Sequence, residues 1–140
     1  AACAAPSQAS ATPGPSVPTE LGSTQGQTIN VLSWPGYVES GKTDKAVDWV
    51  TDFQKTSGCT INYQIFGTSD EAYSLFTTNP EQFDIVSASG DASLRLVRGG
   101  FVQPVNLDLF KSYPEIFPSL KNKPYNTVNG VPYGVPHGRG

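Results

Sequence analysis

The sequence predicts an α/β lobe, a mostly parallel sheet flanked by helices, preceded by a leader without regular structure. Three observations predict it. Residues 1–27 are almost entirely Ala, Ser, Thr, Pro, Gly and Gln. From residue 28 a short β-favouring run is followed by a helical periodicity, and that pair recurs three times, the order that implies parallel strands with helices on the sheet faces. Finally, residues 104–127 carry Pro104, Pro114, Pro118 and Pro124, which break any long element.

The elements follow in order. Ile29–Leu32 is the first strand, ended by Trp34-Pro35-Gly36. Asp44 is positioned to cap a helix in which Ala46, Val47, Val50 and Phe53 fall at helical spacing, with Gly58 as its stop. Residues 60–66 alternate as a strand. Ser69 and Asp70 are cap candidates for a second helix carrying Ala72, Leu75 and Phe76, terminated at Asn79-Pro80. Residues 83–86 form the third strand, and Ser89 or Asp91 caps a third helix with Leu94, Leu96 and Val97, closed by Gly99-Gly100. Asn129-Gly130 marks a tight turn ahead of residues 131–135.

Composition narrows the classes. A chain of 140 residues, 37% of them hydrophobic, supports one modest core. Its net charge of −3, with nine basic residues none of which adjoin, lacks the clustered Lys and Arg of a nucleic-acid surface. No apolar run approaches the roughly 20 residues needed to span a bilayer as a helix. One His (His137) and two widely separated cysteines do not form a linked zinc-ligand set, so no metal and no cofactor are expected. Hydrolase chemistry lacks a G-x-S-x-G elbow, and Asp70 and Glu71, adjacent at a helix start, point apart, so no catalytic residue is assigned.

Residues 1–27 cannot bury enough apolar surface to order themselves and are expected to be a disordered, extended tether. Their Ala-Ala-Cys start resembles the cleavage region of a bacterial lipoprotein, which would make Cys3 a lipidation site and the chain extracytoplasmic, membrane-attached only through that anchor. A Cys3–Cys59 disulfide is the other option for these thiols, though a flexible tail gives it little fixed geometry.

Several segments together resemble the spermidine/putrescine substrate-binding proteins of ABC transporters. Trp34-Pro35-Gly36-Tyr37 is similar to the Trp-x-x-Tyr motif of that family. Residues 66–71 (Phe-Gly-Thr-Ser-Asp-Glu), 83–89 (Phe-Asp-Ile-Val-Ser-Ala-Ser), 100–105 (Gly-Phe-Val-Gln-Pro-Val) and 131–136 (Val-Pro-Tyr-Gly-Val-Pro) follow in the same order. The resemblance implies that residues 28–140 are the first lobe of a type II periplasmic-binding-protein fold, incomplete, with the sequence stopping near the first crossing into a second lobe. It implies a monomeric binding component, not an enzyme, that holds a polyamine-like cation between two lobes and presents it to an ABC permease.

The candidate ligand residues are Trp34, Tyr37, Ser89, Gly90 and Asp91. In open parallel sheets ligands gather beyond the carboxyl ends of the strands, where these residues fall. Aromatic faces suit an alkyl-ammonium, and Asp91 either neutralises an ammonium or caps its helix. The backbone and Ser89 at that helix start are alternatively suited to an anion. Gly36 stands where the family tends to carry an acidic residue, and Gly90 or Asp91 where it tends to carry an aromatic.

Two other classes remain at this point. Residues 36–43, Gly-Tyr-Val-Glu-Ser-Gly-Lys-Thr, satisfy the phosphate-loop pattern G-x-x-x-x-G-K-T between a strand and an expected helix, with Lys42 for phosphate and Thr43 for magnesium. Against it stand the bulky Tyr37 and Val38, the acidic Glu39, and an Asp84 placed too early in its strand. A non-catalytic protein-interaction module is the third reading.

Overall fold

The computed structural model describes residues 17–137. Its centre is β1 (Thr28–Ser33), flanked in parallel by β2 (Thr60–Ile65) on one side and β3 (Ile85–Val86) on the other. β1 and β2 pair over their full lengths, Thr28 opposite Thr60 through Ser33 opposite Ile65. β3 is short and pairs only with Val31 and Leu32. The parallel α/β lobe expected from the order of elements is therefore present.

Alternation along β1 divides the core in two, because successive side chains point to opposite faces. Val31 packs with Val38 and Val50, bordered by Ile29, Ile61 and Tyr63. Leu32 faces the other way, into a larger cluster with Phe66, Ala72, Phe76, Phe83 and Leu96. The second cluster is where α2 (Ser69–Thr78) and α3 (Gly90–Arg98) dock. Each helix inserts its small residue (Ala72 or Ala92, both fully buried) and a larger one four positions on, Phe76 or Leu96. That is the spacing of one helical face.

The helix starts differ from those expected. α1 spans Val50–Ser57, so Asp44 does not cap it. Asp44 Oδ1 instead accepts from Ala46 N at 2.8 Å, closing a local turn. Asp48 fills the capping role: its carboxylate accepts from Thr51 N at 2.9 Å and from Thr51 Oγ1 at 2.6 Å. These bonds hold the Asp48 carboxyl below the usual aspartate range, Lys55 adding a smaller pull in the same direction. The intervening residues fold back on themselves, with Ser40 bridged to Asp48 and Glu39 O accepting from Trp49 N and Val50 N. A backbone already paired in that way cannot also run as helix, and Val47 is left half-exposed.

α2 is capped by Thr68, one residue before the expected Ser69 and Asp70. Its Oγ1 accepts from Glu71 N, and Glu71 Oε2 reaches back to accept from Gly67 N at 2.8 Å, a variant of the reciprocal capping box. Gly58 ends α1 in the left-handed region, φ 68°, as the sequence predicts.

Residues 104–126 contain only the one-turn 3-10 helices Leu107–Leu109, Tyr113–Glu115 and Pro118–Leu120. They lead to an antiparallel hairpin, β4 (Thr127–Val128) and β5 (Val131–Pro132). Asn129 and Gly130 both have positive φ, 52° and 76°, the pair of left-handed residues that a two-residue hairpin turn demands.

The expected boundary at residue 27 falls inside the hydrogen-bonded fold. Thr24 Oγ1 and Gln25 Nε2 both donate to Ser57 O, Gly26 N to Gly58 O, and Thr60 N to Gln27 O. Residues 24–27 are thus fastened to the α1–β2 junction. Cys3 lies outside the described residues, and Cys59 is buried with its Sγ 3.8 Å from Thr60 O.

Candidate functional site

The carboxyl ends of β1, β2 and β3 lie along one edge, and the following segments converge there. Ser87 N donates to Leu32 O and Phe66 N to Ser33 O, each at about 3 Å, so the exits of all three strands are tied together. Ser69 Oγ donates to Asp91 Oδ1 at 3.4 Å, linking the first turns of α2 and α3. Trp34, Ser89, Gly90 and Asp91 thus follow strands whose ends are hydrogen-bonded to one another.

Trp34 opens a four-residue turn in which Tyr37 N donates to Trp34 O at 3.4 Å. Pro35 and a Gly36 with φ 85° occupy its middle, the pattern of a type II turn. That turn explains Gly36. An acidic side chain there would have to adopt the left-handed region, which costs about 1–2 kcal/mol for a residue with a Cβ. The Trp34 ring lies 4.5 Å from that of Phe66, tilted by 59°, and packs against the Leu32 cluster. Trp34 is therefore core on one side and half-exposed on the other.

Tyr37 is also half-buried. Its carbonyl accepts from Trp49 Nε1 at 3.2 Å, and its ring meets His137 edge-on with centroids 4.6 Å apart. Ser89 has the extended backbone of an N-cap but makes no capping hydrogen bond through its side chain; its carbonyl accepts from Ser93 N. Asp91 occupies the first turn of α3, where the helix dipole favours a carboxylate. It is exposed and takes no part in an ion pair among the described residues, the one such pair being Arg95–Asp70 at 2.6 Å. Arg95 also lies over the Tyr73 ring, so its charge is already engaged.

The sequence did not single out three contacts at this edge. Phe66, which opens one of the segments expected beyond the strand ends, is the surface on which Trp34 rests. Tyr125 lies against Gly90: a Cβ placed there would sit 3.1 Å from Tyr125 Cγ and Cδ1. His137 reaches Tyr37 from the far end of the chain. Neither Tyr125 nor His137 carries a periodic signal, because the backbone that delivers them is irregular.

The phosphate-loop reading does not survive the geometry. In such a loop the Lys and Thr open the following helix, so that its amides face the phosphates. Here α1 begins only at Val50, and residues 39–49 form the folded-back loop. Lys42 Nζ lies 5.6 Å from the Tyr63 ring centroid, on the β2 side of the sheet. Among the described residues no group of three His, Cys, Asp or Glu side chains is placed to hold a metal ion.

Two surface depressions lie away from this edge. One of about 390 Å³ is formed by Thr78–Gln82 beyond the end of α2. Another of about 200 Å³ lies over Asn30, Asn62, Gln64 and Phe83. Neither includes a candidate ligand residue.

The fold, a parallel sheet with helices on both faces, is similar to that of periplasmic binding proteins. Solved structures agree. The chain is similar to the spermidine/putrescine ABC transporter substrate-binding protein PotD of Streptococcus pneumoniae, with TM-score 0.61 and 16% identity over 71% of this chain. It is similar to a protein proposed as a spermidine/putrescine ABC transporter from Listeria monocytogenes, with TM-score 0.55 and 18% identity over 71% of this chain. The maltose-binding periplasmic protein MalE of the same organism, in complex with maltose, matches with TM-score 0.52 and 21% identity over 79%. The chain spans 29% of each of the first two proteins and 26% of the third. No family model matches it. At these identities the likeness is one of fold, and it joins proteins named for polyamines with one named for a sugar.

Proposed function

We propose that this chain is the first ligand-contacting lobe of an extracytoplasmic solute-binding component of an ABC importer, non-catalytic and monomeric, whose ligand is a small polyamine-like cation. The observation that supports this reading is the Trp34–Tyr37 turn, whose two half-buried aromatic rings follow β1, together with Asp91, exposed in the first turn of α3 and in no ion pair among the described residues. An aromatic face beside a carboxylate recognises an alkyl-ammonium: the ring packs on methylenes and attracts the cation, and the carboxylate neutralises it. The two neighbours named for spermidine and putrescine support the same reading.

A single lobe holds a ligand on one side only. The full clamp needs a second lobe closing over it, and closure is the form a permease would read. Cys3, followed by a Pro- and Ser-rich stretch, fits a lipid anchor that keeps the lobe at the outer membrane face.

Thermal-shift screening of the protein from its natural reading frame, against putrescine, spermidine, amino acids and maltose, tests the ligand. The reading expects a concentration-dependent rise in Tm with a polyamine. A rise with maltose or an amino acid alone overturns it.

A further inference from the structure

We infer that Tyr125 is a specificity-determining contact for the cationic ligand, supplied from outside the strand–helix repeat and admitted to the site by Gly90. This inference rests on the function proposed above. Gly90 is the first residue of α3, and nothing in its helical position requires a glycine. Its φ is not in the left-handed region, so the backbone makes no such requirement. The requirement comes from Tyr125: the position of a Cβ on Gly90 is 3.1 Å from two ring carbons and 3.5 Å from a third. A residue with a Cβ would require the ring to shift by a few tenths of an ångström.

The backbone that carries the ring is held by hydrogen bonds. Tyr125 sits in a turn closed by Asn126 N and Thr127 N donating to Lys123 O, and by Lys123 N donating to Asn126 Oδ1. Tyr133 N donating to Asn126 O then fixes that turn to the residues after β5. The ring is nonetheless 38% exposed, so part of it is available to a ligand. Asp91 is the next residue after Gly90. A half-exposed aromatic ring against the residue preceding an exposed carboxylate, one that makes no ion pair among the described residues, suits an ammonium group.

Calorimetric titration with putrescine and spermidine, on the protein from its natural reading frame, tests this with Tyr125→Leu, Tyr125→Phe and Gly90→Ala. A lost cation–ring contact corresponds to a loss of about 2- to 30-fold in affinity. Tyr125→Leu is expected to lose that much, and Tyr125→Phe to bind as the wild type does. Gly90→Ala, which keeps the ring but displaces it, is expected to weaken binding with little change in Tm, and it carries the test if Tyr125→Leu folds poorly. Wild-type binding that Tyr125→Leu and Gly90→Ala both retain overturns the role of Tyr125 alone. A wild-type protein that binds no polyamine overturns the proposed function and this inference with it.

Discussion

The segment from Thr28 to Arg98 and the segment from residue 104 to His137 build the same edge by opposite means. The first is a repeat of strand and helix whose side chains enter the core at regular intervals: Val31 and Leu32 on opposite faces of β1, Ala72 and Phe76 on α2, Ala92 and Leu96 on α3. The second has no helix longer than one 3-10 turn and no strand longer than two residues. Yet it delivers Tyr125 to Gly90 and His137 to Tyr37. The repeat makes a platform, and the irregular segment dresses it. In such a division, substitutions in the repeat should act on stability first, and those in the irregular segment on ligand binding first.

The largest expected effect tests the platform. Phe66 is 2% exposed at the centre of the larger cluster and carries the Trp34 ring. Phe66→Ala should cost about 3–5 kcal/mol in urea unfolding, the usual range for emptying a buried aromatic site. A cost under about 1 kcal/mol would mean that the cluster is not the core.

Next comes the turn that presents the aromatic pair. Gly36→Glu restores the acidic residue of the resembled family, but at φ 85° it should lose about 1–2 kcal/mol of stability. A variant as stable as the wild type would show that the turn has another conformation within easy reach. Thr68→Ala, which removes the α2 cap, should cost about 1 kcal/mol by the same measurement.

The smallest effect concerns Asp48. Its carboxyl titrates below the ordinary value because Thr51 hydrogen-bonds the charged form. A depressed folded-state pKa contributes stability that is present above the unfolded value, about 4, and is lost as the pH falls through the folded value. Asp48→Asn should therefore be slightly less stable than the wild type near pH 7, and the gap should close below about pH 4. A gap that stays constant down to pH 2 would assign the effect to something other than this titration.

How much was legible follows from the same comparison. The order of elements and the parallel sheet could be read because alternation and helical spacing are local signals: residues 60–66 alternate, and Gly58, Gly99 and Asn129-Gly130 mark ends. The start of α1 could not. Ala46, Val47, Val50 and Phe53 have helical spacing, but Glu39 O takes up the Trp49 and Val50 amides and leaves residues 44–48 in a loop. That pairing also removes the phosphate-loop reading, which needed a helix directly after Thr43. The Trp34–Tyr37 turn was legible as a motif, and its geometry now accounts for Gly36. Tyr125 and His137 were not legible as site residues, since the irregular backbone that delivers them to Gly90 and Tyr37 leaves no period to detect.

The central claim is that the aromatic edge after β1 binds a cation, and Trp34 is itself a reporter of it. The chain has two tryptophans, so Trp49→Phe leaves Trp34 as the single indole. Titrating that variant, from the natural reading frame, with putrescine and with maltose while following tryptophan emission measures the contact directly. The account predicts a saturable change with putrescine and none with maltose. Emission that is unmoved by putrescine or spermidine, in a variant that remains folded, would contradict it.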